Sequence, residues 1–149
     1  MKNFGRGDVF LIKCNDKTAE KIRKFGEGEY PNECCGLIFG KINKDGSKEI
    51  NDILPIINAR EDENKYNRFL ITSKDMLKGE LYARKNNTEI IGFYHSHPDH
   101  PAEPSKFDLD HAWPVYSYII VSVVKGKSEK MTSWVLSSDR SSFQEEQII

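Results

Sequence analysis

The sequence contains no long hydrophobic run. No segment comes near the roughly 18 consecutive apolar residues that a membrane-crossing helix needs, so we expect no membrane partner. The first ten residues mix charges with glycines and lack the apolar core of a secretory signal peptide. The expected location is therefore cytoplasmic.

Cysteine and net charge are also scarce. The three cysteines are odd in number and form no C-x-x-C pair, which argues against a disulfide framework and a zinc finger. We interpret Cys34 and Cys35 as small buried hydrophobes, and redox sensitivity is the less favoured alternative. The formal net charge is −1, and the 22 lysines and arginines are scattered along the chain. The composition therefore gives no electrostatic case for a nucleic-acid partner.

Segments rich in apolar and β-branched residues alternate with segments of helical periodicity. The predicted strands cover residues 9–12, 34–42, 47–58, 68–71, 89–97, 116–124, 132–137 and 143–149. The predicted helices cover residues 16–26, 72–85 and 105–112, and residues 59–67 are expected to form a mobile loop. With 149 residues, the chain is long enough for one domain with a sizeable core, spanning 1–149. This pattern predicts an α/β fold with a mixed, curved β-sheet flanked by helices.

Two histidines stand at the end of an apolar predicted strand. The motif His95-Ser96-His97-Pro98 directly follows the run Ile-Ile-Gly-Phe-Tyr. Because side chains alternate between the faces of a strand, His95 and His97 point the same way and Ser96 points the other way. We interpret Ser96 as a locally bonded hydroxyl. The imidazoles thus end a buried strand, where the sites of α/β sheets tend to lie.

A carboxylate follows at the start of the next predicted helix. The sequence from Ser105 to Asp108 has the S-x-x-D form of a helix N-terminus, with Ser105 as the cap. Taken alone, such a pair is typical of plain capping, and a single histidine is typical of a core or surface position. The joint spacing favours a metal site instead, and capping is compatible with ligation.

One acid stands upstream of the histidines. Glu33 directly precedes the apolar segment Cys34–Phe39, where a buried carboxylate is costly unless it has a partner. Two imidazoles and one carboxylate can bind zinc and leave room for a water, and a separate glutamate can take a proton from that water. These residue types therefore indicate a zinc hydrolase.

This constellation resembles the JAMM (MPN-type) metalloprotease domain, and no position of the motif departs from the family form. The resemblance extends over nearly the whole chain and is greatest for the short prokaryotic branch. It implies a fold similar to that of cytidine deaminases. It also implies that His95, His97 and Asp108 bind one zinc ion with a water, that Glu33 is the general base and later the proton donor, and that Ser105 hydrogen-bonds the oxyanion.

The family resemblance also implies a substrate class. The branch includes enzymes that act on ubiquitin-like sulfur-carrier proteins, so the expected reaction is hydrolysis of a peptide or isopeptide bond after a C-terminal Gly-Gly. Release of a terminal amino acid such as cysteine is the leading hypothesis, and precursor processing or removal of a carrier from lysines follows closely. An extended tail of this kind can bind by adding to a sheet edge.

Two alternatives to this reaction remain open. They are a generic small-peptide zinc peptidase and a non-catalytic MPN-type scaffold, although the complete ligand set argues against the scaffold. A zinc deaminase would need the H-x-E and P-C-x-x-C signature, which is absent.

Residues after the motif leave further points open. His111 shares a helix face with Asp108, three residues before it, and could contact it, although packing or surface exposure is favoured for His111 and for His100. Trp113 and Pro114 end the helix and are expected to cover the core. The oligomeric state is left open by the sequence.

Overall fold

The computed structural model describes residues 10–57 and 71–149. Within these residues it contains seven strands and three helices. The strands are β1 (Leu11–Lys13), β2 (Cys35–Ile42), β3 (Lys48–Ile56), β4 (Glu89–Pro98), β5 (Ser117–Val124), β6 (Lys127–Leu136) and β7 (Phe143–Ile148). The helices are α1 (Asp16–Glu29) between β1 and β2, α2 (Ser73–Lys85) between β3 and β4, and α3 (Lys106–His111) between β4 and β5.

The strands form one sheet in the order β1-β3-β2-β4-β5-β6-β7, and β7 bonds back to β1. β1 runs parallel to both β3 and β7, β4 runs parallel to β5, and the other neighbours are antiparallel. The prediction of an α/β fold with a mixed sheet is confirmed. The sheet is not merely curved, however, because the short strand β1 closes it into a barrel.

Helices cover both faces of the sheet. One apolar cluster lies on the α1 face and includes Ile22 and Tyr94. A second cluster lies on the face of α2 and α3 and includes Ala83, Phe93 and Ala112. Alternate residues of β4 therefore face different helices, and the odd-numbered residues that follow Phe93 point towards α2 and α3.

The first helix does not end at the predicted residue 26, because α1 continues to Glu29. Gly26 is buried, and a Cβ atom at this position would lie 3.0 Å from Cγ2 of Val123. The glycine therefore allows α1 to pack closely on β5. It does not end the helix.

β6 begins at Lys127, earlier than the predicted residue 132. Lys125 and Gly126 form a two-residue turn with φ values of 51° and 86°, and Val124 pairs with Lys127 across it. Such turns match the twist of two antiparallel strands, so β6 starts at once. The first residues of β6 are mostly polar, so their composition did not predict a strand.

Some predictions fall on residues that the structure does not describe. They are the start of the first strand at residue 9, the end of the third at 58, the loop at 59–67 and residues 68–70 of the fourth strand. Ile71, the last residue of that predicted strand, is not in a strand. Among the described helices, none is both long and apolar enough to cross a membrane.

Candidate metal centre

β4 brings two imidazoles together on the face that α3 covers. His95 is fully buried, His97 is 9% exposed, and their Nε2 atoms are 3.2 Å apart. Nδ1 of His97 lies 2.8 Å from the carbonyl oxygen of Pro101, in the loop after β4. Because a carbonyl can only accept, Nδ1 carries the hydrogen of the neutral ring, and Nε2 is left as the electron-pair donor.

A reciprocal cap fixes the carboxylate of Asp108. The N–H of Asp108 donates to Oγ of Ser105 at 3.1 Å, and the N–H of Ser105 donates to Oδ2 of Asp108 at 2.8 Å. The predicted capping pair at the start of α3 is thus confirmed. The same carboxylate places Oδ1 3.2 Å from Nε2 of His95 and Oδ2 3.1 Å from Nε2 of His97.

The spacing of these donor atoms fits a zinc ion. In a tetrahedral site with ligand bonds of about 2.0–2.1 Å, neighbouring donor atoms lie about 3.3 Å apart. The two imidazole Nε2 atoms are 3.2 Å apart, and each lies 3.1–3.2 Å from a different oxygen of the Asp108 carboxylate. Two imidazole nitrogens and one carboxylate are also ligand types that zinc accepts, with the fourth position open.

The protonation states of two of these residues suit ligation. Burial would raise the pKa of Asp108, but the imidazoles and the Ser105 N–H outweigh it and hold this pKa well below its usual range. Burial lowers the pKa of His95 and outweighs the opposite effect of Asp108. An ionised carboxylate and a neutral imidazole are the forms that coordinate a metal ion.

The register of the sheet places Glu33 beside the imidazoles. Cys35 pairs with His95 across β2 and β4, so the antiparallel register, continued by two residues, puts Glu33 opposite His97 and on the same face. Glu33 is 3% exposed, and a carboxylate oxygen and the ring nitrogens of both histidines lie within 4.8 Å of one another. A carboxylate there can exchange a proton with a water at the open position.

The structure thus brings all five candidate residues to one place, and their chemical roles stay predictions. Ser96 points to the opposite face, as expected, and its Oγ accepts the N–H of Cys34 at 2.8 Å. Within the part of the chain that the structure describes, His111 makes no hydrogen bond to Asp108. Its Nδ1 lies 2.8 Å from the carbonyl oxygen of Phe107, and its ring stacks on the Phe107 ring.

Two cavities meet at Asp108. The larger, of about 600 Å³, adjoins His95. Its wall is mainly apolar and includes Ile71, Met76, Phe93, Phe107, Trp113, Tyr116 and Tyr118, with Arg140 at one side. The smaller, of about 430 Å³, is more polar and contains Glu33, His97, Ser105 and Lys106. Phe107 lines both cavities, so a substrate that crosses the centre would meet one apolar and one polar side.

The aromatic wall of the larger cavity was not predicted from the sequence. Trp113 is 60% exposed, so the expectation that it covers the core is wrong. The wall residues come from β4, β5 and the segments around α2 and α3, and each of them by itself reads as a core residue. No local pattern joins them, because the wall exists only when these elements are packed.

Comparison with known proteins identifies the family. The model of the family described as prokaryotic homologs of the JAB domain matches residues 15–137. The chain belongs to this family. The prediction of a JAMM/MPN-type domain of the short prokaryotic branch is therefore confirmed. The relation to the cytidine-deaminase fold stays a prediction.

The JAB-domain chain is similar to two proteins named desampylase. It is 34% identical over 107 residues to one from Pyrococcus furiosus, over 70% of this chain and 67% of the relative. It is 29% identical over 109 residues to one from Haloferax volcanii, over 72% and 74%. The solution structure of a protein from Desulfitobacterium hafniense is also similar, with a TM-score of 0.79, 28% identity and coverage of 93% and 91%.

Proposed function

We propose that this JAB-domain protein is a zinc-dependent metallopeptidase or isopeptidase. It hydrolyses the bond after the C-terminal Gly-Gly of a ubiquitin-like or sulfur-carrier protein, including release of a terminal cysteine. The observation that carries the proposal is the set of 3.1–3.2 Å contacts among His95, His97 and Asp108, with Glu33 beside them. Similarity to two proteins named desampylase supports a conjugate of a ubiquitin-like protein as the substrate class.

Each residue of the centre has a chemical task. A bound zinc ion would supply a water with a pKa of about 7 and polarise the scissile carbonyl. Glu33 takes the proton of that water and delivers it to the leaving amine nitrogen. Oγ of Ser105 already accepts the N–H of Asp108, so its own hydrogen can be donated to the oxyanion. A fixed donor at this point contributes about 3 kcal/mol to the reaction.

The position of Glu33 orients the substrate. Glu33 lines the polar cavity, and the leaving amine must lie within reach of its carboxylate to receive the proton. The leaving group therefore occupies the polar cavity. The acyl side, which carries the Gly-Gly tail, extends along the apolar cavity on the other side of Phe107.

The edge of β3 offers an extended tail a path that is an alternative to the apolar cavity, because β3 and β5 lie on opposite sides of β4. β1 pairs with β3 at Lys48 and Glu49, and beyond them the rest of β3 has a strand on one side only among the described residues. The last residue, Ile56, pairs with Cys35, which in turn pairs with His95. Two strand spacings of about 4.8 Å therefore separate this edge from His95, and a tail added there can reach the centre.

A cleavage assay with mass spectrometry tests the proposal. The zinc-loaded protein is offered a sulfur carrier ending in Gly-Gly-Cys, a carrier joined to lysine through an isopeptide bond, diubiquitin, and short Gly-Gly peptides. Glu33→Gln is the control, because it keeps the shape of the side chain and removes the base. We expect loss of the terminal cysteine or cleavage of the isopeptide bond, and no turnover by the variant.

Each of the other outcomes would favour a different function or a different role for Glu33. Cleavage of the short peptides alone would make the protein a generic zinc peptidase. Full activity of Glu33→Gln would remove Glu33 as the base. If no substrate were cut although zinc is bound, the non-catalytic scaffold would become the better account.

A further inference from the structure

A buried polar network lies inside the closed end of the barrel, away from the metal centre. Nζ of Lys48 donates to Oγ of Ser117 at 2.6 Å, and this hydroxyl donates to Oε1 of Glu146 at 2.7 Å. Oγ of Ser133 donates to the same oxygen at 2.8 Å, and Nζ of Lys48 is 3.8 Å from Oε2 of Glu146. All four side chains are buried. Buried charges are costly, so a network of this kind calls for a physical reason.

Lys48 also reaches out of the barrel to a strained residue. Its Nζ donates to the carbonyl oxygen of Val115 at 2.9 Å. Val115 has a φ of 84°, in the region that favours glycine. For a β-branched residue this conformation is a true outlier, because its side chain crowds its own backbone. The bond from Lys48 is one contact that holds Val115 there.

The strained residue lies between two residues that line the apolar cavity. Trp113 and Tyr116, on either side of Val115, both line that cavity. The N–H of Trp113 donates to the hydroxyl of Tyr118 at 2.8 Å, and the Arg140 guanidinium lies 5.0 Å from the Trp113 ring centre. Trp113 is thus held from two sides while 60% of it stays exposed. An exposed aromatic ring that is fixed in place is a typical anchor for a protein ligand.

We propose that Lys48 is a positioning residue for substrate binding. Through its bond to the strained carbonyl of Val115, it holds the segment 113–116 as the far wall of the apolar cavity. The wall then presents Trp113 to the carrier part of the substrate. This inference rests on the proposed function, because the cavity is taken as the place of the acyl side. Ser117 pairs with Gly92, three residues before His95, so the wall lies about 10 Å along the sheet from the metal ligands.

The competing account is that the network only closes the barrel. The two accounts differ at Val115. If Lys48 acts by holding a strained backbone, a glycine at residue 115, which adopts a positive φ without strain, should replace its effect. If the network only stabilises the closed barrel, a change at Val115 cannot compensate for the loss of the network.

The test uses the full chain with Trp134→Phe, so that Trp113 is the one remaining tryptophan. Lys48→Met combined with Glu146→Gln removes the donor to Val115 without leaving a buried charge unpaired. Ser133→Ala is the matched control, because it removes one bond of the network and retains the Lys48–Glu146 pair and the bond from Lys48 to Val115. Val115→Gly is then added to the double variant. The readouts are the fluorescence anisotropy of Trp113, zinc content, and KM and kcat for the carrier substrate.

We expect the double variant to lower the anisotropy of Trp113 and to raise KM about tenfold, with kcat within about twofold and zinc content unchanged. Addition of Val115→Gly should restore the anisotropy and most of KM. If the double variant fails to fold but the triple variant folds, the strain is again shown to be what Lys48 opposes.

An unchanged anisotropy in a folded double variant would overturn the inference, as would failure of both variants to fold or no recovery by Val115→Gly. If the wild type cuts no carrier substrate, the proposed function fails. The anisotropy and its recovery by Val115→Gly then still decide whether Lys48 holds the wall.

Discussion

Cys34 and Ser96 exchange two hydrogen bonds just where β2 begins. The N–H of Ser96 donates to the carbonyl of Cys34 at 3.1 Å, and the N–H of Cys34 donates to the side-chain Oγ of Ser96 at 2.8 Å. Ser96 stands between the two candidate ligand histidines, and Cys34 follows Glu33 directly. This pair therefore ties the backbone of Glu33 to the strand that carries the imidazoles.

Ser96→Ala is expected to weaken activity without removing the metal. The substitution leaves the buried N–H of Cys34 without its acceptor, which costs about 1–3 kcal/mol of folding stability, and it loosens the position of Glu33. We expect kcat to fall with KM and zinc content nearly unchanged. Steady-state kinetics and metal analysis measure this. An unchanged kcat would show that Glu33 is positioned by other contacts.

Ser105→Ala should have two separable effects. Loss of the cap of α3 should cost about 1 kcal/mol of stability, and loss of the oxyanion donor should lower kcat. Thr72→Ala is the matched control, because Thr72 and Asp75 form the same reciprocal capping box at the start of α2. Both variants should lower the melting temperature, but only Ser105→Ala should lower kcat. A change of KM alone would refute the oxyanion role.

His97→Ala and Asp108→Ala should each abolish zinc binding. Each removes one of three donor groups, and the remaining two are too few for a stable tetrahedral site. Asp110→Ala is the control for the loss of a carboxylate from α3. Asp110 lines the apolar cavity next to His95 but is outside the ligand set. Zinc per chain after dialysis, measured by elemental analysis, should stay near that of the wild type for this variant alone. Retention of zinc by Asp108→Ala would refute the ligand assignment.

Tyr94→Phe should leave stability unchanged or raise it. The hydroxyl of Tyr94 is buried and has no hydrogen-bond partner within the described residues, and its ring belongs to the apolar cluster on the α1 face. Removal of an unsatisfied buried hydroxyl lowers the cost of burial while the ring keeps its packing. Chemical denaturation followed by circular dichroism measures the free energy of unfolding. A loss of more than about 1 kcal/mol would show that the hydroxyl has a partner such as a buried water.

The Cys14 thiol should be protected in the folded protein. Burial, assisted by the nearby charge of Asp16, raises the pKa of Cys14 to about 11, whereas an unfolded thiol has a pKa near 8.5. The folded state therefore holds the proton more tightly. Its stabilising contribution is complete below about pH 8.5 and is lost as the pH rises towards 11.

Two measurements check the protection of Cys14. The thiol should react slowly with a disulfide reagent at pH 8 and rapidly after addition of guanidinium chloride. The free energy of unfolding should fall between pH 8.5 and 11, and Cys14→Ser should reduce that fall. Rapid reaction of Cys14 in the folded protein at pH 8 would contradict the prediction.

The residues that local patterns can locate were predicted, and those placed by long-range packing were not. The alternation of a strand was enough to put His95 and His97 on one face, and the S-x-x-D spacing was enough to cap α3 at Ser105. By contrast, β1 closes the barrel through pairs with residues far along the chain. The partnership of Lys48 with Glu146 depends on that closure, so neither residue carried a signal in the sequence.

At Gly26 the local sequence pattern gave a wrong prediction, because it did not include a long-range contact. The sequence around Gly26 has the form of a helix end, but the tertiary contact with Val123 gives this residue another purpose. The proximity of Glu33 to the imidazoles is an intermediate case. Its placement follows from the register of β2 against β4, which the strand pattern suggests but does not specify.

The separation of His97 and Asp108 in the chain has a consequence for the loop between them. The two residues are eleven positions apart, on different elements, and their side chains meet. An ion held by both would be a cross-link that closes the intervening loop, much as a disulfide does, and would remove conformational entropy from the unfolded chain. Ligation would therefore contribute to folding as well as to chemistry, and it would add to the hydrogen bonds that Asp99, His100 and Ala102 already make with β5, β6 and the turn between them.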